Sequence, residues 1–508
     1  MYSNRGFRES EIGDIDVIRV GDEYHLFHLI LPNHDYIAHA VSQDCINWKR
    51  VKSALWVGDP GDWDDDMLWT MHVIPNATGD GYEMHYTGLS QKEKGHVQRV
   101  GKAVSKDLFE WEKASTAPYP ISPAGPYYET KHDNPRLWVS FRDPFFVRDQ
   151  QREFLLVCAR VNRGAVSRRG CVGVVEIDGR EARMEKPLFT PFVYDDVECP
   201  CLVKLEKRWY LIGSIREDVK VHYWYADEMF GEYHAFHDNV LMPQGNYAAR
   251  VSRDGERQVV HAFYIADHDT PNERRYLPPP KEIRVSENGR LELVSYHRWN
   301  EKIVETVEQD HFPPVAAVFR NPTASSHPFS AVTGLRLSSA SGYELFSFRF
   351  DAAQFIWRGV IKVIGRGKCG LFFNGDEHGN GYYISLDIVQ GYVQIRAWGC
   401  DPENIMKDYV FDNLQTNIFT PNDTLTHEFR LIRYGHYIEF SIDGVVQLAL
   451  VDGRHEGSHF GAYCESSEIS LSGCRLDRLA EIPDDEAEEL SCLVPDAEPH
   501  LPDPLAEG

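Results

Sequence analysis

Three acids carry the chemistry open to this chain. Asp14 stands in GDIDVIRVGDEYHLF, Asp143 in SFRDPFFV and Glu198 in DVECPCLVKL, each at the start of a segment that reads as a β-strand. A single Asp before a strand is usually a turn or capping residue, and an Arg-Asp pair is usually a salt bridge. Three acids at the head of successive strand units is a different pattern. Hydrolysis of a glycosidic bond needs one carboxylate that attacks the anomeric carbon or activates water, and one carboxyl that protonates the leaving oxygen. A third negative group holds the sugar and steadies the cationic transition state. Asp14, Asp143 and Glu198 are therefore the candidate catalytic set, with Asp16 competing with Asp14 for the first role. That reaction requires no metal or organic cofactor. The closest cysteine pair, Cys199 and Cys201, flanks Pro200 with neither a second pair nor a His-x-x-x-His, so no metal pattern is present.

Such residues work only if the fold brings them together. Most of the chain reads as apolar strand, charged or Gly-containing turn, and second strand, as in DVIRVGDEYHLFHLI, DPFFVRDQQREFLLVCARV and CLVKLEKRWYLIGSI. Amphipathic helices are few, which leaves a sandwich or a propeller. The hairpin-opening strands lie near Asp14, Trp69, Asp143, Glu198 and Asn246, at intervals of 55, 74, 55 and 48 residues. A recurrence of roughly 40–50 residues or slightly more is that of a four-stranded propeller blade. AVSQDCINWKRV and AVSKDLFEWEKA are near copies, read as equivalent outer strands of blades one and two with the Trp packing between blades. The innermost strands of a propeller line one channel, so acids distant in sequence converge at its mouth. The expected fold is all-β: a five-bladed β-propeller over residues 1–300 and a linker over 301–332, marked by Pro313-Pro314 and Asn321-Pro322. A β-sandwich follows over 333–480, where strands alternate with Gly-Asp and Asp-Gly turns, then an acidic, disordered tail over 481–508.

Composition narrows the partners. The 508 residues carry a formal charge of −25, which argues against nucleic acid and leaves a small neutral carbohydrate as the fitting ligand. Ten acids and no Lys or Arg from Glu481 onward supply part of that charge. No apolar stretch approaches the ~20 residues that span a bilayer, so no membrane is expected as a partner. The charged N-terminus has no export signal, and with no disulfide spacing the expectation is a cytoplasmic protein with free thiols. Trp63, Trp69, His72, Tyr194, Trp224 and Tyr247 are candidates to stack on a sugar face, although blade packing uses the same residue types.

In its motifs the chain resembles glycoside hydrolase family 32, the invertase, inulinase and levanase family. Arg142-Asp143-Pro144 matches the Arg-Asp-Pro motif, Glu198-Cys199-Pro200 the Glu-Cys motif, and AVSQDCINW the first-blade Ser-x-Asp…Trp signature. The resemblance covers residues 12–475 and is sharpest in blades one, three and four. It implies a propeller followed by a sandwich, Glu198 as general acid/base, Asp143 as transition-state stabiliser with Arg142 beside it, and Asp14 as nucleophile. Trp69 and His72 then stand where the family has a sugar-contact motif, in Leu-Trp-Thr-Met-His, and Asn246 falls on the inner strand of blade five. Gly13-Asp14-Ile15-Asp16 departs from the family's Asn-Asp-Pro-Asn-Gly and is similar to the opening of family 43, with its inverting arabinofuranosidases and xylosidases. The implied activity is retaining hydrolysis or transfer of a furanosyl group, most simply from β-fructofuranosides. The alternatives are an inverting arabinofuranosidase-type enzyme and a non-catalytic carbohydrate-binding propeller.

Overall fold

The computed structural model describes residues 2, 11–130, 136–266, 275–320, 325–330, 334–364, 367–387, 389–399, 410–422 and 424–483. Most of the acidic tail, from 484 onward, lies outside the described residues. Four four-stranded antiparallel sheets and then a five-stranded one follow one another along the chain. Blade I comprises Glu11–Val20, Glu23–Leu31, Tyr36–Ser42 and Lys49–Trp56, and blade II comprises Met67–Pro75, Tyr82–Leu89, Arg99–Ser105 and Trp111–Lys113. Blade III runs through Phe141–Asp149, Arg152–Arg160, Gly170–Asp178 and Glu181–Phe189, and blade IV through Glu198–Leu205, Arg208–Ile215, Lys220–Ala226 and Val240–Met242. Blade V has Asn246–Asp254, Arg257–Ile265, Lys281–Val285 and Leu291–Ser295, with Arg275–Tyr276 as a short extra strand. The first strand of each blade packs against the first strand of the next, and that of blade V against that of blade I. The ring is thus closed, and the chain is a five-bladed β-propeller.

Inter-blade cores explain the strand composition. Phe27 of blade I packs edge-on to Trp111 of blade II at 5.7 Å, which is the inter-blade role expected of that Trp. The repeated Ala-Val-Ser-x-Asp segments are turns between third and fourth strands. Ser42 and Ser105 each accept a bond from the amide three residues on at 2.9 Å, and Asp44 and Asp107 cap the amides that follow. These Asx and Ser turns hold Cys45 and Leu108 at φ of 61° and 71°.

The C-terminal unit is a sandwich of a seven-stranded and an eight-stranded sheet around Phe355, Trp357, Leu371, Phe373 and Phe460. Much of the segment read as a linker belongs to it. Ile303–Glu308 pairs with Glu468–Leu479, Ala316–Phe319 with Tyr343–Arg349, and Ser325–Ser330 with Gly334–Ser338. Pro313-Pro314 falls between the first two of these strands, Asn321-Pro322 lies outside the described residues, and the mostly exposed side chains of those two strands leave no apolar alternation to read. Propeller and sandwich share buried surface: Trp299 lies against Tyr434 and Tyr437 of the sandwich, with centroids at 5.3 and 6.1 Å.

Candidate active site

A β-bulge interrupts the first strand of all five blades. The register shifts between Ile12 and Ile15, Trp69 and Met71, Arg142 and Phe145, Glu198 and Cys201, and Tyr247 and Arg250. An extra residue at each bulge bends the strand and re-aims the neighbouring side chains. In blades III, IV and V the bulges share one conformation, with Asp143, Cys199 and Ala248 at φ of 59°, 48° and 51°. Left-handed backbone costs an L-residue free energy, least for Asp and Asn, and such strain is typical of functional sites. Arg142, Glu198 and Tyr247 precede these residues and are therefore blade equivalents. They meet: Arg142 Nη2 donates to Glu198 Oε1 at 2.6 Å, and the Tyr247 hydroxyl donates to Glu198 Oε2.

The bulges also bring Asp14 and Asp143 together. Asp14, Asp143 and Cys199 each present one oxygen or sulfur atom within 4.8 Å of the others. Thr70, the bulge residue of blade II, donates its hydroxyl to Asp14. The Cys199 amide donates to Asp143 Oδ2 at 3.0 Å, and its thiol lies 3.6 Å from Asp14 Oδ2. Arg142 Nε is 3.7 Å from Asp143 Oδ2. Burial raises the carboxyl of Asp14, and the charge of Glu198 adds to this against the Thr70 hydroxyl and Arg250. Asp143 is raised first by burial and again by the charges of Asp14 and Glu198, against Arg142. Burial also pushes the Cys199 thiol well up.

Glu198 behaves oppositely. Burial alone would raise its carboxyl, but Arg142, the Tyr247 hydroxyl and Arg216 overcome this and hold it below the ordinary Glu value. The surroundings thus favour the ionised form of Glu198 and disfavour that of Asp14 and Asp143. Acid catalysis by Glu198, as read from the sequence, needs the opposite bias.

Other sequence candidates fall elsewhere. Asp16 is buried and its Oδ2 accepts the Val73 amide of blade II at 2.6 Å; burial pushes its carboxyl up to about 6. It joins two blades, whereas Asp14, on the bulge, reaches the cluster. His72 accepts the Phe146 amide at 2.9 Å and stacks on Phe145 at 4.2 Å, so it binds blade II to blade III rather than offering an edge to a ligand. Asn246 is fully buried and donates to Pro243 O and to Ala449 O of the sandwich, at 3.0 and 3.1 Å. Its neighbour Tyr247 reaches Glu198 instead. Trp63 stacks on Tyr86 within blade II, and Trp224 packs on Phe189. Trp69 is half-buried beside Thr70, and its indole N–H has no partner among the described residues. Three contributors went unread in the sequence: Thr70, Asp196 and Arg250. Tyr247 was visible only as an aromatic, although Tyr-Ala-Ala aligns with Arg-Asp-Pro and Glu-Cys-Pro once the bulges are known.

A closed five-bladed ring with a C-terminal sandwich, and carboxyls gathered on bulged inner strands, is the layout of the propeller glycoside hydrolases. Residues 16–229 match the family described as Glycosyl hydrolases family 32 N-terminal domain. That match covers most of the propeller and less than half of the chain. The chain is 33% identical over 139 residues to a levanase of Bacillus sp. (strain L7), a match covering 25% of this chain and 14% of that protein. Its fold is similar to sucrose-6-phosphate hydrolase from Lactobacillus gasseri, with a TM-score of 0.66 at 15% identity, covering 93% of this chain and 91% of that one. Exo-inulinase from Aspergillus awamori superposes with a TM-score of 0.65 at 14% identity, covering 93% and 96%.

Proposed function

We propose that the chain is a retaining glycoside hydrolase that releases or transfers a furanosyl group, taking β-fructofuranosides such as sucrose, fructo-oligosaccharides, fructans or fructose dianhydrides. The observation that carries the reading is the convergence of Asp14, Asp143 and Glu198 from blades I, III and IV at bulges of the inner strands. Asp14 attacks the anomeric carbon, and Glu198 protonates the leaving oxygen and then deprotonates the incoming water or sugar hydroxyl. Asp143, fixed by the Cys199 amide, holds ring hydroxyls as the oxocarbenium ion develops.

The resting charge distribution sets a condition on catalysis. A proton must lie on Glu198 and not on Asp14 when the bond breaks, so substrate binding has to weaken the Arg142 and Tyr247 bonds to Glu198. The eight described cysteines are buried and free, which suits a reducing compartment and supports a cytoplasmic location. No helix among the described residues is long and apolar enough to cross a membrane. The test is purified protein assayed on sucrose, inulin, levan, difructose anhydrides and nitrophenyl arabinofuranosides, with the first-formed anomer followed by NMR. Fructose released with retention is expected. Inverted product, or turnover of the arabinofuranosides alone, would overturn the assignment.

A further inference from the structure

Arg142 is shared between two carboxylates. One nitrogen, Nη2, donates to Glu198 Oε1 at 2.6 Å and to Asp196 Oδ2 at 2.9 Å, while Nη1 donates to Ser140 Oγ at 2.9 Å. Asp196 is 8% exposed and stands two residues before the acid, on the approach to the same bulged strand. Its Oδ2 also receives Arg160 Nη2 at 2.7 Å, and Ser140 Oγ lies 3.3 Å from its Oδ1. Arg160 is fixed in turn by Asp195, at 3.0 Å, and lies over the Trp138 ring at 5.4 Å. The guanidinium beside the acid is therefore tethered from behind by a buried carboxylate that touches neither Asp14 nor Asp143 in any recorded hydrogen bond.

We propose that Asp196 is a positioning residue for the acid: it gives Arg142 a second carboxylate to rest on, so that the guanidinium can let go of Glu198 when a glycosidic oxygen arrives. The inference rests on the functional reading above. Without an alternative seat, releasing Glu198 would strand a buried guanidinium, at a cost of several kcal/mol. With Asp196 and Ser140 already in place, Arg142 keeps two of its bonds and gives up one. Glu198 then faces Tyr247, Arg216, Asp14 and Asp143 without its nearest cation, and it can hold the proton it must donate. Asp196 itself faces Arg142, Arg160 and Glu198; burial raises its carboxyl, and the two arginines oppose that rise. Cys158 and Cys171 lie near enough to sense Asp196, and burial holds both thiols protonated.

The test is Asp196→Asn, compared with wild type for the pH dependence of kcat on sucrose and on an activated aryl fructofuranoside. Arg142 then favours Glu198, the Glu198 pKa falls, and the alkaline limb of kcat moves to lower pH. Turnover of sucrose should fall by about tenfold, a part of the 10²–10⁴ that general acid catalysis supplies, and the activated substrate should be nearly unaffected. Arg160→Gln, which leaves Asp196 with Arg142 alone, should move the limb the other way. A purely structural role would lower the melting temperature and both activities together without moving the limb. An unmoved limb in either folded variant overturns the proposal. The coupling can also be read without turnover, by infrared titration of the Glu198 carboxyl assigned with Glu198→Gln. Wild type that turns over no fructofuranoside, yet shows that carboxyl shifting in Asp196→Asn, would reject the functional reading and leave the coupling intact. An unshifted carboxyl would reject the coupling.

Discussion

Replacing Asp143 by Asn removes one charge and almost nothing else. The residue sits at φ 59°, a region that Asn tolerates better than most side chains, so the bulge survives. The amide oxygen of Asn can accept the Cys199 N–H that Oδ2 accepts now, at 3.0 Å. What disappears is the negative charge that a carboxylate, unlike an amide, can present to a developing cation, within 4.8 Å of an Asp14 oxygen and in a site where Asp143 is 1% exposed. Loss of one preorganised electrostatic contact to a transition state costs about 2.7–4 kcal/mol, or about 10²–10³ in kcat. KM should move much less, because the contact strengthens as the cation develops. Asp143→Ala behaves differently. It orphans the buried Cys199 amide, at about 1–3 kcal/mol, and forces left-handed backbone on Ala, at about 1–2 kcal/mol more. The assay is steady-state kinetics on the released sugar alongside thermal melts of both variants. Asn should be crippled and stable, Ala crippled and several degrees less stable. An Asn variant within a few-fold of wild-type kcat would refute the transition-state role.

Tyr247→Phe removes the second donor to Glu198, so its carboxyl titrates higher and the alkaline limb of kcat should move up; an unchanged limb would show that the hydroxyl does not set this acid. Asp16→Asn should keep most of the activity, whereas Asp14→Asn should have none, a comparison of turnover that decides between the two acids. The folded pKa of about 6 at Asp16 lies above the ordinary 3.8, so the fold favours the protonated form and loses about 3 kcal/mol as pH rises from 4 to 6. Asp16→Asn should therefore raise the melting temperature at pH 7 relative to wild type more than at pH 4; equal changes at both would contradict that burial effect. Trp299→Ala empties a fully buried site between propeller and sandwich and should cost about 3–5 kcal/mol, seen as a lower or split calorimetric transition.

The fold was legible because apolar hairpins between charged turns allow few architectures, and because the Ser-x-Asp turns repeat between blades. The three catalytic candidates were legible for a related reason: Arg-Asp-Pro and Glu-Cys-Pro are the sequences of bulges, which have little freedom to vary. The misplaced candidates fail at those same bulges. His72 was chosen by its place in the sugar-contact segment and Asn246 by its place on the inner strand of blade five, but the bulges turn their neighbours Thr70 and Tyr247 toward the acids instead. Asp196 and Arg250 gave no signal because neither lies in a recurring segment, and their partners are 36 to 179 residues away in the chain.

Arg250 has a further consequence for how the propeller is assembled. Its guanidinium, buried under the carboxylates, lies 3.5 Å from Met71 O, 3.4 Å from Pro144 O and 3.0 Å from Pro200 O, and it feels the charge of Asp16. One side chain from the last blade thus gathers the floors of the other four. During synthesis those carbonyls leave the ribosome long before residue 250 does, and a nascent chain of four blades has no cation to draw them together. Such a chain holds Asp14, Asp143 and Glu198 but not the guanidinium that ties their strands together. The platform is therefore completed in one step, when the fifth blade emerges about halfway along the chain.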